Sequence, residues 1–376
     1  MIPPGSTLGV MGGGQLGRMF GMAARKMGYR VHVFDPAPDS PAGQVADKQV
    51  EADYTDEAAL TRFAGEVAAV TFEFENIPAA SLEALERVCP VRPGPEILLI
   101  CQNREREKTF LSKNGYPLAP FAVVDSPAGI DEGLRHTGTP AVLKTAAFGY
   151  DGKGQVKVCE DSSAREVWES LGAPRGVLEA WIEHECELSV ICAGSPETGY
   201  SCFPAAENSH TDHILDVSIV PARIDPARIQ EAESIAASLA DSLNLTGLLA
   251  VEFFLTRDGK LLVNELAPRP HNSGHYSFDA CVTSQFEQQV RTLCALPPGS
   301  PRLLSPAVMV NLLGDLWDSG DPDWSPVLSE PSAKLHLYGK AAARPGRKMG
   351  HFCVLDPSVE QAVETALRIR NQLRNG

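Results

Sequence analysis

The chain has 376 residues, 43% of them hydrophobic and 22% charged, which is enough for two or three domains with sizeable cores and too apolar for a disordered chain. A formal net charge of −15 argues against a general polyanion binder such as a nucleic-acid protein, so any phosphate site has to be local. Nine scattered cysteines without a Cys-x-x-Cys, no basic amino-terminal region and no membrane-length apolar run predict a cytoplasmic protein with reduced thiols and no membrane partner.

In chain order, the pattern predicts a strand over Thr7–Met11, a glycine-rich turn, a helix from Gln15 to Lys26 closed by Gly28, and a strand over Val31–Phe34. Gly12, Gly14 and Gly17 have G-x-G-x-x-G spacing, and Asp35 stands about where a dinucleotide fold keeps its ribose-binding acid. This predicts a Rossmann-like unit and leaves its ligand open, since unpaired turn amides and a helix N-terminus suit any phosphate or carboxylate. A strand over Val67–Phe74 leads into Phe72-Glu73-Phe74-Glu75-Asn76. Alternation puts Glu73 and Glu75 on one face at a strand end, where open α/β sheets bind ligands and where merely solvated edge carboxylates also occur. Pro-rich turns over 90–95 precede a helix from Arg104 to Lys113 that stops at Asn114-Gly115, and the first domain boundary falls at Cys101.

A strand over Ala141–Thr145 carries Lys144, then comes Phe-Gly-Tyr-Asp-Gly-Lys-Gly and a strand over Gln155–Cys159, a hairpin with a glycine-rich tip. Such a tip lets amides approach phosphate oxygens while Lys144 supplies a point charge, although a hairpin without a ligand would read the same. It lacks the Gly-Lys-Ser/Thr of a Walker A loop. Strands follow over Val177–Ile182 and, after Glu185-Cys186-Glu187, over Leu188–Cys192. His210 with His213, and His271 with His275, lack metal-ligand spacing and read as hydrogen-bonding histidines. Asp225-Pro226 caps a structural helix that ends near Leu243.

The stretch from Leu248 to His275 reads as a β-hairpin about Asp258-Gly259. A two-residue loop pairs Arg257 with Lys260, Leu255 with Leu262 and Glu252 with Glu265, which puts two carboxylates on one face. Like charges so placed repel, and a divalent ion removes the penalty; two carboxylates plus a polyphosphate suit Mg²⁺. A three-residue loop would shift the register and separate the pair, leaving two solvated glutamates. Beyond a Pro-rich linker over Leu296–Pro306, strands are predicted over Val308–Leu312, Lys334–Tyr338 and Gly350–Leu355, with a last helix capped by Asp356-Pro357. The basic loop from Lys340 to Lys348, with Arg347 within it, suits a phosphate monoester.

Together the segments GGGQLGRM, FEFEN, KTAAFGYDGKGQ, EAWI, ENSHTDHIL, VEFF, NELAPRPHNSGH and YGKAAARPGRKMGH resemble the ATP-grasp family of 5-(carboxyamino)imidazole ribonucleotide synthases across essentially the whole chain. The resemblance implies an α/β chain with an α+β centre. A Rossmann-like pre-ATP-grasp domain would cover 1–101, an ATP-grasp domain 102–296 and a small β-rich domain with a final helix 297–376. It implies an ATP-dependent ligase, homodimeric and cytoplasmic, that carboxylates 5-aminoimidazole ribonucleotide with bicarbonate through carboxyphosphate. ATP would be held by Arg104, Lys144, Gly149, Tyr150, Asp151, Gly152, Lys153, Gly154, Gln155, Glu179, Ala180, Trp181, Ile182, Glu187, His210, Asn264 and Glu265. Glu252 and Glu265 would hold Mg²⁺, with Mn²⁺ an alternative. Arg269, His271 and Asn272 would orient bicarbonate or carboxyphosphate, and Tyr150, Asp151 and Lys153 would form a catalytic lid. The ribonucleotide would lie on Gly14, Gln15, Leu16, Glu73, Glu75, Lys340, Arg347 and Lys348. Ala267 stands where many relatives keep the Asn of Glu-x-Asn, so Asn264 or Asn272 is expected to substitute. The alternatives are another ATP-grasp ligase, such as a formate-dependent glycinamide ribonucleotide transformylase or a biotin-dependent carboxylase subunit, an NAD-dependent oxidoreductase built on the first glycine turn, and a non-catalytic nucleotide-binding module.

Overall fold

A computed structural model describes residues 1–147 and 154–375, and among these the chain builds three sheets. The first is parallel, in the order β3-β2-β1-β4, from β1 (Thr7–Met11), β2 (Arg30–Phe34), β3 (Lys48–Val50) and β4 (Val70–Phe72). The helix Gln15–Lys26 follows β1 as expected, and Leu8, Val10, Met19, Phe20, Val31 and Val33 pack between helix and sheet. The strand expected over Val67–Phe74 shrinks to β4, because the chain turns away just before Glu73.

A second, antiparallel sheet has the order β5-β8-β6-β7, from β5 (Phe121–Val124), β6 (Ala141–Thr145), β7 (Gln155–Val158) and β8 (Gly176–Ala180). The helices Pro127–Thr137 and Ala164–Leu171 cover it; Ile130, Leu143, Val167 and Leu178 share its core. Neither these helices nor β5 was expected from the sequence, although Ser126-Pro127 and Ser163 are N-caps.

The third sheet has nine strands, in the order β14-β13-β9-β11-β12-β15-β17-β16 with β10 paired to β9. They are β9 (His184–Ser195), β10 (Gly199–Cys202), β11 (Ala206–Thr211), β12 (Ile214–Val220), β13 (Gly247–Thr256), β14 (Leu261–Ala267), β15 (Ala307–Leu313), β16 (Ala333–Leu337) and β17 (Lys348–Leu355). Because β15 pairs with β12, the carboxy-terminal strands extend the central sheet rather than form one of their own. The last helix, Val359–Asn375, starts later than Asp356-Pro357 implies: Asp356 accepts from the Ser358 N–H, and Ser358 Oγ accepts from the Gln361 N–H at 3.2 Å. The helix Gln285–Leu293 crosses to the first sheet and buries Phe286, Val290 and Leu293 against Leu8, Phe20 and Tyr29. At roughly 1.5–3 kcal/mol for each such side chain, this apolar seam ties the amino-terminal unit to the centre.

The β13–β14 hairpin reaches the expected pairing by a different route. Its loop is one residue longer: Thr256 and Lys260 close it, Gly259 takes φ +80°, and Leu255 faces Leu261 rather than Leu262. That shift would separate the glutamates, but a bulge at Asn264 takes up one residue and brings Glu265 back opposite Glu252. The core records the change of phase. Leu261 and Val263 face inward, strict alternation would bury Glu265 next, and the extra residue turns Leu266 inward instead.

Candidate active site

The glycine turn after β1 is closed by the protein's own carboxylates. Gly13 N–H donates to Asp35 at 2.6 Å, and Gly14 and Gly17 N–H donate to the two oxygens of Glu73 at 2.6 and 3.0 Å. Asp35 also accepts from Tyr54 Oη and the Ala37 N–H. A Cβ on Gly13 would strike Ser40 and Asp35, and one on Gly14 would strike Glu73, so these glycines admit side chains rather than a pyrophosphate. The expectation of open turn amides is therefore corrected at Gly14, and Asp35, pinned from three sides, no longer supports the NAD alternative. Glu73 is buried, which pushes its carboxyl up against the opposing pull of the two amides. Glu75 pairs at 2.7 Å with Arg269, so the two glutamates do not act as one pair. The Leu16 side chain lies in the core, leaving its backbone as the part that can meet a ligand.

At the centre, Glu179 on β8 is enclosed by Lys108 at 3.2 Å, Lys144 at 3.3 Å and Arg104 at 3.7 Å. Burial raises its pKa, and the three cations outweigh burial and hold it at about 2. Burial pushes the Lys144 ammonium down, with Glu179 resisting. Arg104 also reaches Glu265 at 3.4 Å, so one guanidinium spans the two sheets. The bonding is incomplete: Arg104 Nη1, Glu179 Oε1 and Asn264 Oδ1 are buried without a hydrogen-bond partner. Ala180 closes β8, Trp181 N–H donates to Pro140 O, and the Ile182 carbonyl faces His184. Trp181, two residues past Glu179, is 42% exposed with Lys157 Nζ over its ring at 4.4 Å. Gly154 and Gln155 stand at the base of the glycine-rich tip, where Thr145 N–H donates to Gly154 O; Gly149, Tyr150, Asp151, Gly152 and Lys153 lie outside the described residues.

Along the third sheet, Glu187 meets His210 at 2.9 Å and keeps the imidazole above its usual pKa, although burial opposes this. Glu252 meets His271 at 3.0 Å; burial raises the carboxyl, and His271, His210 and Lys348 together bring it well below the usual range. Gln285 clasps His271 by accepting from its N–H and donating to its C=O. Asn272 is buried with both ends of its amide unpaired, and Arg269 Nε is unpaired as well. Lys348 exerts its charge on Glu252 and His210, whereas the charge of Lys340 falls on Glu73. The basic loop thus divides: Lys340 Nζ donates to Lys348 O, and Arg347 Nη1 to Ala342 O.

Glu252 and Glu265, opposite one another across the hairpin, supply hard oxygen donors of the kind that fits Mg²⁺, and Asn264, next to Glu265 in sequence, has a buried oxygen without a hydrogen-bond partner. Among the described residues no group of three or more acidic, His or Cys side chains is arranged to hold a metal, so further ligands have to come from elsewhere, as nucleotide phosphates would supply. Three participants went unnoticed in the sequence: Glu107, Lys108 and Gln285, all buried. For the first two a signal existed, since Arg104, Glu107 and Lys108 fall on one face of a strongly charged helix. No helix among the described residues is long and apolar enough to cross a membrane.

Three family models match in order: a ribonucleotide synthetase preATP-grasp domain over residues 5–102, an ATP-grasp domain over 109–286 and a phosphoribosylaminoimidazole carboxylase C-terminal domain over 307–365. N5-carboxyaminoimidazole ribonucleotide synthase of Bacillus subtilis (strain 168) is 46% identical over 364 residues, covering 97% of this chain and 95% of its own. A solved ADP complex of N5-carboxyaminoimidazole ribonucleotide synthetase superposes with a TM-score of 0.92 at 44% identity, over 98% of this chain and 97% of the other. The Aspergillus clavatus enzyme solved with ADP and 5-aminoimidazole ribonucleotide has a TM-score of 0.89 at 30% identity, over 99% of each chain.

Proposed function

The chain belongs to the family of N5-carboxyaminoimidazole ribonucleotide synthases, ATP-grasp ligases of purine biosynthesis, and from this we propose how its residues carry out the reaction. ATP phosphorylates bicarbonate to carboxyphosphate; the exocyclic amine of 5-aminoimidazole ribonucleotide then attacks the carboxyl carbon, and phosphate leaves with the electrons of the C–O bond. The observation that carries this reading is the set of buried donors without a hydrogen-bond partner, Arg104 Nη1, Arg269 Nε and Asn272 Nδ2, a cost that a bound anionic ligand would offset.

In this reading Arg104 and Lys144 take the phosphates of ATP, which the residues of the Gly149–Gln155 segment would also hold, while Ala180, Trp181 and Ile182 border the base and Glu187 with His210 the ribose. Glu179 orients the cations rather than meeting the base, since its carboxylate is committed to them. Glu252 and Glu265 would hold Mg²⁺, or Mn²⁺ on the same oxygens, which when bound would neutralise phosphate charge. Arg269 Nε and Asn272 Nδ2 would donate to the carboxyphosphate oxygens, with His271, bonded to Glu252 and Ser273, orienting the group beside them, and Tyr150, Asp151 and Lys153 would exclude water that would destroy it. The ribonucleotide phosphate meets the Gln15 and Leu16 amides with Lys340 and Arg347, and Lys348, near Glu252, faces the reacting end. Gly14 serves by lacking a side chain. Cytoplasmic location and a homodimer, implied by the resemblance, belong to the same proposal, and sedimentation of the pure protein checks the second. The function is tested by measuring ADP release with ribonucleotide and bicarbonate omitted in turn. Release that needs both supports it; release undiminished without the ribonucleotide, or dependent on formate instead of bicarbonate, overturns it.

A further inference from the structure

We infer that Glu107 and Lys108 are positioning residues that clamp the Asn264 bulge and so determine whether Glu265 stands opposite Glu252; this rests on the reading of those glutamates as metal ligands. Lys108 Nζ donates to Asn264 O at 2.8 Å, across 156 positions of sequence, and Glu107 Oε2 accepts from the Leu266 N–H at 2.9 Å, across 159. These two bonds grip the backbone on either side of Glu265. Lys108 is fully buried and Glu107 is 1% exposed, so water does not compete for either contact.

The clamp answers a backbone problem. β14 is the end strand of its sheet, so backbone groups on its outer side, those around the bulge among them, have no strand to pair with, and inside a core they need other partners. Here the Arg104–Lys113 helix supplies one donor and one acceptor, and strand alternation without the bulge would send Glu265 toward Val263 and Leu261. Since Lys108 also touches Glu179 at 3.2 Å, the residue that fixes the register of Glu265 is bonded to the carboxylate that gathers Lys144 and Arg104. Placement of the phosphate cations and of the metal carboxylates therefore shares one side chain.

The test compares the parent with Glu107→Leu, Glu107→Gln, Lys108→Met and Glu265→Gln at saturating ADP. Mn²⁺ uptake is read from the electron paramagnetic resonance of free Mn²⁺, and amide exchange is followed across β14. Glu107→Leu and Lys108→Met should weaken Mn²⁺ uptake by roughly tenfold and speed exchange at Leu266, whereas Glu107→Gln, whose amide oxygen can still accept from Leu266, should stay within about threefold of the parent. Lys108→Met carries the test where Glu107→Leu fails to fold. Loss of Mn²⁺ in Glu265→Gln with none in Glu107→Leu and Lys108→Met, or equal loss in the Leu and Gln variants at Glu107, overturns the clamp. Unchanged Mn²⁺ uptake in Glu265→Gln overturns the metal assignment itself, and the clamp's purpose with it.

Discussion

The amino-terminal glycine turn and the cation cage around Glu179 are the two places where phosphate would be sought first, and they differ in how far their polar groups are already paired. In the turn, Asp35 and Glu73 occupy the amides of Gly13, Gly14 and Gly17 at hydrogen-bond distance. In the cage, Arg104 Nη1 and Glu179 Oε1 form an ion pair at 3.7 Å, too long for a hydrogen bond, and each is buried without a hydrogen-bond partner. Both regions are dense in charge, but only the second leaves buried groups undersatisfied, a state that costs on the order of 1–3 kcal/mol for each group until a ligand arrives. A glycine signature reports that a backbone approaches something closely; here much of that something is the protein itself.

Perturbing the carboxylate pair that Arg104 joins to the cage, and the cage itself, should give the largest effects. Glu252→Gln and Glu265→Gln should lower turnover by on the order of a hundred- to a thousandfold at ordinary Mg²⁺, with the thermal midpoint lowered in Glu252→Gln, which gives up the ion pair with His271, and little changed in Glu265→Gln. Near-normal activity in both would erase the distinction between the regions. The cage should also govern the acid limb of stability. Glu179 is held at about 2, below its ordinary 4.5, so its contribution is present above pH 4.5 and lost as pH falls toward 2. Denaturant titrations across that window should show Glu179→Gln losing less than the parent, by about 3 kcal/mol if the whole shift is realised. Parallel curves would mean that Glu179 contributes nothing to the acid limb.

Smaller effects are expected on the glycine-turn side. Lys340→Ala and Arg347→Ala should each reduce use of the ribonucleotide by roughly tenfold to a few hundredfold, worth about 1.5–3 kcal/mol, and barely alter the ATP requirement. The dephosphorylated nucleoside should serve parent and variants alike; a matching loss with the nucleoside would make the basic loop structural. Glu73→Gln should act mainly on stability, and by no more than about 1 kcal/mol in a chemical melt, because one of the two amides loses its acceptor while a carboxylate that burial penalises is removed. If it raised the ATP requirement as strongly as Lys144→Ala, the two regions would be one site.

Much of this molecule was legible in short windows of sequence. The helices Gln15–Lys26 and Arg104–Lys113 and the strands Thr7–Met11 and Ala141–Thr145 lie where local pattern and caps put them. The family motifs named the reaction class and most of the charged groups that the fold gathers around Glu179 and Glu252. What short windows do not carry is the state of each group's bonds. That Glu73 would turn back onto Gly14 and Gly17, that the strands after Pro306 would extend the central sheet, and that a longer loop and a bulge would cancel to restore the Glu252–Glu265 pairing were decided in three dimensions. The physical reason is that periodicity and turn propensity act over a few residues, whereas a bulge on an end strand persists only if something elsewhere satisfies the backbone around it. For Asn264 and Leu266 that something is a helix more than 150 positions away, as the separations of 156 and 159 record.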